Sequence, residues 1–255
     1  MSPPNVRILV RLDIKGPHVI KGINFEGLRV VGDPHELALK YYHEGADGLI
    51  YMDAVASLYG RNHLADIIKQ TTHNIFIPLV VGGGIRSLTD VENILNSGAD
   101  QIAINSASIG TPELITAISH HFGSQCMVVS IEAKQKGPQQ WEAYYDSGRE
   151  PSGWDVIEWA KHVEQLGAGE ILLTSIDQEG TRRGFDLNLI NAVSNAVSIP
   201  VIAAGGFSSP DDLIKATHQG KANAVCIGSA LHYNDYSLHD IRQAAQTAGV
   251  LVRQL

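Results

Sequence analysis

Two stretches decide the fold: Ile77-Pro78-Leu79-Val80-Val81-Gly82-Gly83-Gly84 and Ile199-Pro200-Val201-Ile202-Ala203-Ala204-Gly205-Gly206. Each reads as a short, fully apolar strand that stops in glycine, and the second repeats the first about 120 residues later. Two further matches keep the same order and offset. Arg11-Leu12-Asp13-Ile14-Lys15-Gly16-Pro17 returns as Ser130-Ile131-Glu132-Ala133-Lys134-Gln135-Lys136-Gly137-Pro138, and Ile104-Asn105-Ser106-Ala107 returns as Ile227-Gly228-Ser229-Ala230. One match is chance; three in one order indicate two related halves, about 1–122 and 123–255.

Outward from these stretches, apolar runs at 8–12, 49–52, 79–81, 101–104, 127–131, 171–174, 200–203 and 224–227 alternate with segments of helical spacing, such as 90–95 and 154–166. Strand then helix, eight times at about 32 residues each, predicts a parallel sheet, and 255 residues is the size of a single closed (β/α)8 TIM barrel. An open doubly wound sheet needs about six strands and leaves two apolar runs unplaced. Gly45-Ala46, Gly98-Ala99 and Gly167-Ala168 each follow a helical pattern and precede a strand, which suits glycine as the left-handed helix cap.

Composition removes several classes. Two cysteines, Cys126 and Cys226, exclude a disulfide scaffold and a four-cysteine zinc site. A formal charge of −8 argues against nucleic acid or an anionic membrane as partner. The chain starts almost directly with a strand too short for a signal core or a membrane span, so a cytoplasmic protein is expected. The eleven histidines, His120, His121 and His232 among them, show no metal-ligand spacing, and packing roles are expected for them. No nucleotide-phosphate loop or dinucleotide fingerprint is present, and no cofactor or metal is expected.

Barrel active sites form where the strands end at their C-termini. Asp13 ends the first strand and Glu132 the fifth, so equivalent carboxylates face each other across the mouth and suit a general acid and a general base. The plainer alternative is that each pairs with a lysine or arginine. Gly82, Gly83 and Gly84 follow the third strand, and Gly205 and Gly206 the seventh. Asn105-Ser106 and Gly228-Ser229 follow the fourth and eighth. Glycine lets a backbone approach a ligand, and amides at helix starts favour anions. Two symmetric anion loops beside two carboxylates point to one elongated substrate with a phosphate at each end, held by local backbone amides because the overall field is repulsive. Asp53, Asp177 and Glu179 suit hydroxyl groups of a sugar-like substrate.

Asp13 with Lys21-Gly22-Ile23-Asn24-Phe25, Val81-Gly82-Gly83-Gly84-Ile85-Arg86, Phe122-Gly123-Ser124-Gln125-Cys126 and Gly167-Ala168-Gly169-Glu170-Ile171-Leu172-Leu173-Thr174-Ser175 closely resemble the HisF family, the cyclase subunits of imidazole glycerol phosphate synthase. The resemblance is collinear from about Arg7 to the C-terminus. It implies a glutaminase partner in a heterodimer, which supplies ammonia through the barrel. It also implies a ribulosyl aminoimidazole carboxamide nucleotide with two phosphates as substrate, and imidazole glycerol phosphate and an aminoimidazole carboxamide ribotide as products. On the resemblance Asp13 and Glu132 are catalytic, Lys21 lies on the mobile loop after the first strand, and Gly83, Asn105, Gly205, Gly206 and Ser229 bind phosphate. Gly84, Gly228, Thr174 and Asp177 complete the expected substrate-binding set.

The chain departs from the family at several points. Glu132 and Glu179 replace usual aspartates, Ala204 a common serine, and Arg11 a usual cysteine. Strand alternation turns Arg11 inward beside Asp13, where a buried guanidinium must find an acid such as Asp13 or Glu132. At the barrel bottom Arg7 and Glu170 match a charged ring, but Gly48 and Gln101 replace an acid and a lysine. These departures leave two other readings. One is a paralogue that conducts ammonia for amidotransfer in nucleotide-sugar or surface-polysaccharide modification. The other is the related sugar-phosphate isomerase, against which the 122–126 and 167–175 runs speak.

Overall fold

The structure, a computed structural model, describes residues 5–54, 56 and 64–254. Its eight parallel strands are β1 (Arg7–Lys15), β4 (Gly48–Asp53), β5 (Leu79–Gly82), β6 (Gln101–Ile104), β7 (Met127–Gly137), β10 (Glu170–Ser175), β11 (Val201–Ala204) and β12 (Ala224–Ile227). They pair in the order β10-β11-β12-β1-β4-β5-β6-β7, and β7 pairs back to β10, which closes a TIM barrel. Each of the eight expected runs is a barrel strand. β-branched and aliphatic residues dominate them because both strand faces are buried.

Strand alternation separates two cores. Leu9, Ile50, Val80, Ala103, Val128, Leu172 and Ile202 fill the barrel interior. Ile8, Val10, Leu49, Val81, Ile102, Val129, Leu173 and Val201 face outward beneath the helices. Each such side chain contributes on the order of 1.5–3 kcal/mol on burial. The described helices are α1 (Pro34–His43), α2 (Ala65–Thr72), α3 (Leu88–Asn96), α4 (Ser106–Gly110), α5 (Glu113–Phe122), α6 (Val156–Gln165), α7 (Leu187–Ala196), α8 (Pro210–His218), α9 (Ser229–His232) and α10 (Leu238–Thr247). Asp33 caps α1 by accepting from His35 N–H and Glu36 N–H, and Ser87, Asp155, Asp186 and Ser237 cap α3, α6, α7 and α10 in the same way. Gly45, Gly98 and Gly167 do close helices in the left-handed region, with φ of 87°, 115° and 104°.

Two antiparallel hairpins were not foreseen from the pattern. β2 (His18–Ile23) folds back on the end of β1 and pairs with β3 (Glu26–Gly32); β8 (Gln140–Tyr145) folds back on β7 and pairs with β9 (Glu150–Asp155). Both rise from the C-terminal end of the barrel. The stretch carrying Lys21, expected as a loop after the first strand, forms a strand in which Val19, Ile20 and Lys21 are buried.

Candidate active site

Asp13, near the end of β1, is buried and both its oxygens are engaged. Arg11 Nε donates to Oδ1 at 2.7 Å and Lys21 Nζ to Oδ2 at 2.9 Å. Burial opposes ionisation of Asp13, but the Arg11 and Lys21 cations more than offset it and hold the carboxyl well below its usual range. Lys21 also pairs with Glu179, so the hairpin strand β2 is held by two acids, one on β1 and one in the segment after β10. The plainer alternative for Asp13, an acid paired with cations, is thus part of the structure.

Among the described residues Glu132 has no such cation partner. Its Oε2 accepts from Gly148 N–H at 2.7 Å, in the turn joining β8 to β9. Burial pushes its pKa up to about 7, and the nearby Arg11 charge and the Gly148 hydrogen bond offset this only in part. Asp13 and Glu132 line one cavity at the mouth together with Lys21, Asp53 and Glu179. Two carboxylates whose surroundings drive them in opposite directions are suited to a base and an acid respectively.

A pocket lies on each flank. Gly83, Gly84, Asn105, Ser106 and Arg86 line one, beside Asp53 and Glu132. Gly205, Gly206, Gly228, Ser229, Arg11, Lys21 and Arg182 line the other. The glycines are required by backbone shape: Gly83 and Gly206 have φ of 94° and 103°, and a Cβ on Gly206 runs into the Gly184 carbonyl oxygen. Cationic side chains also stand in both walls: Arg86 in the first, and Arg11, Lys21 and Arg182 in the second.

Other expected residues hold the frame. Asn105 Nδ2 donates to Tyr144 O at 3.1 Å and ties the first flank to β8. Thr174 is fully buried with its hydroxyl 3.5 Å from Arg11 Nη1. Asp177 is exposed and accepts from Gln135 N–H at 2.8 Å, linking the segments after β10 and β7. His232 is buried: Nε2–H donates to Arg11 O at 3.0 Å, and Nδ1 therefore accepts from Tyr41 O–H at 2.7 Å. Burial pushes its pKa down to about 4, so it packs as a neutral ring. Sequence reasoning missed Gly148, Arg182 and Arg86 as site residues. The turn Asp146-Ser147-Gly148 carries the only signal that could have indicated the first of these.

At the opposite end of the barrel, Arg7 and Glu170 form an ion pair. Gln101 Nε2 donates to Gln125 O at 2.8 Å. A depression there is lined by Asn5, Arg7, Gln101, Gln125, Glu170 and Lys221. Among the described residues no helix is long and apolar enough to cross a membrane.

The family model "Histidine biosynthesis protein" matches residues 7–237. The chain is 60% identical over 208 residues to the imidazole glycerol phosphate synthase subunit HisF of Legionella pneumophila, covering 82% of this chain and 98% of that protein. It is 45% identical over 249 residues to the HisF subunit of Dehalococcoides mccartyi, covering 98% of each. With the barrel and its mouth, these matches show that the chain belongs to the HisF family, the lyase and cyclase subunits of imidazole glycerol phosphate synthase in histidine biosynthesis.

Proposed function

We propose that the mouth holds an open-chain ribulosyl aminoimidazole carboxamide nucleotide, with one phosphate in the Gly83/Asn105 pocket and the other in the Gly205/Gly206/Ser229 pocket. Ammonia adding to its ketone carbon gives up two protons from nitrogen in all, and the ketone oxygen takes up two and leaves as water with an imine formed. A base must therefore first remove a proton from nitrogen, and an acid must then deliver one to oxygen. Asp13, held ionised by Arg11 and Lys21, takes the first proton. Glu132, whose pKa of about 7 leaves a protonated fraction at neutral pH, gives the second. Imidazole glycerol phosphate and an aminoimidazole carboxamide ribotide are the products. The observation that carries this reading is one cavity containing two oppositely perturbed carboxylates, flanked by two glycine-walled pockets with cations.

A glutaminase subunit, in a heterodimer with this chain, supplies the ammonia. The open depression around Arg7 and Gln101 supports docking at the barrel bottom, and the mainly apolar interior above it suits a small neutral molecule. The two-half organisation, about 1–122 and 123–255, belongs to the same reading. The hairpins β2–β3 and β8–β9, each on the first strand of its half, support it. The reaction is a cytoplasmic one on this reading. Steady-state turnover of the bisphosphate with ammonium salts tests it: formation of imidazole glycerol phosphate is expected, and no product at millimolar substrate overturns it.

A further inference from the structure

Arg11 lies on the inner face of β1 and is only 6% exposed. Nε is committed to Asp13 at 2.7 Å. Nη1 reaches Thr174 Oγ1 only at 3.5 Å, the outer edge of a hydrogen bond, and Nη2 donates none among the described residues. A guanidinium carries five N–H donors. One face of Arg11 lies over the Phe25 ring, 5.7 Å from its centroid, and its free Nη donors open onto the pocket, where an acceptor can reach them. The same side chain forms part of the pocket wall with Gly205, Gly206, Gly228 and Ser229. The acid on that wall, Glu179, is taken up by Lys21. The unfilled acceptor is therefore to be sought in a ligand, and the planar fork of Arg11 suits a phosphate.

We propose that Arg11 is a phosphate ligand of the Gly205/Gly206/Ser229 pocket and couples that pocket to Asp13, its Nη edge holding a phosphomonoester dianion while Nε keeps Asp13 in place. Binding and proton affinity are then reciprocally linked: a phosphate that draws on the guanidinium loosens its hold on Asp13, and protonation of Asp13 frees the guanidinium for phosphate. Only the identity of the phosphate as one end of the substrate rests on the proposed function.

Titration of the full chain with inorganic phosphate, followed by phosphorus NMR and calorimetry, tests this. The wild type is expected to show two phosphate sites. Arg11→Met is expected to weaken one of them about 10- to 100-fold, the range for a charge-assisted hydrogen bond, and to leave the other within about twofold. Arg11→Lys keeps the charge but lacks the fork, so about a fivefold loss or more is expected at the same site. A folded Arg11→Met with both affinities unchanged overturns the inference. If Arg11→Met does not fold, wild-type affinity in Arg11→Lys overturns it. A wild-type chain that turns over no bisphosphate but binds phosphate through Arg11 leaves this inference standing while the proposed function fails. An active enzyme with Arg11-independent phosphate binding is the reverse case.

Discussion

Lys21 Nζ donates to Asp13 Oδ2 at 2.9 Å, so the buried centre of strand β2 and the acid near the end of β1 form one unit. Lys21→Met removes the cation and leaves Asp13 and Glu179 as buried acids around an apolar side chain. Breaking a buried pair on one side costs about 3–5 kcal/mol. A fall of that size in unfolding free energy is expected in urea titrations. An unchanged midpoint would mean that the hairpin is not anchored through this lysine.

The glutamate at 132 is fitted to its surroundings. Its carboxylate reaches Gly148 N–H at 2.7 Å, and an aspartate there withdraws it by one methylene. Glu132→Asp is therefore expected to lower kcat by about ten- to a hundredfold, the usual effect of misplacing a catalytic group by about 1 Å. A gain in kcat would show instead that the longer side chain is a defect.

The pH dependence follows from the two carboxylates with opposite signs. Burial raises Glu132 from its ordinary 4.5 to about 7, so its contribution to stability is complete below pH 4.5 and is lost as pH rises through 7. Asp13 is lowered, so its contribution is present above its ordinary 3.8 and disappears as pH falls below that. With Glu132 as acid, kcat/KM is expected to fall above about pH 7, and the limb is expected to vanish in Glu132→Gln. A limb in which activity rises through pH 7 reverses the assignment of acid and base.

Gly206 carries the shape of the second pocket. Its φ of 103° and the Gly184 carbonyl leave no space for a methyl group. Gly206→Ala is expected to raise KM for the bisphosphate by about tenfold or more, with a smaller change in kcat, since backbone strain of about 1–3 kcal/mol falls on binding. Steady-state kinetics with ammonium salts separate the two constants.

The barrel strands were legible because parallel strands are continuous apolar runs, and Leu79, Val80 and Val81 read this way without help from the rest of the chain. The hairpins were not. Glu26–Gly32 and Glu150–Asp155 are mostly exposed, contain glycine, and lack a clean alternation of apolar and polar residues. The turn between β2 and β3 places Asn24 and Phe25 at φ of 49° and 64°, a left-handed pair in which phenylalanine is an unusual choice. Since the hairpins supply Lys21 to Asp13 and Gly148 to Glu132, the positions of the two acids were readable but their opposite ionisation was not. Strand alternation alone marks Arg11 as an inward cation in need of an acid. Which acid it takes depends on β2 arriving beside it, a long-range fact that spacing does not carry.

The most direct test is turnover of the bisphosphate with ammonium salts by the wild-type chain beside Asp13→Asn and Glu132→Gln. Product from the wild type, with kcat about 10²-fold lower or less in each variant, is the expected result for a positioned base and acid. No product from the wild type at millimolar substrate, or wild-type turnover in both variants, would contradict it.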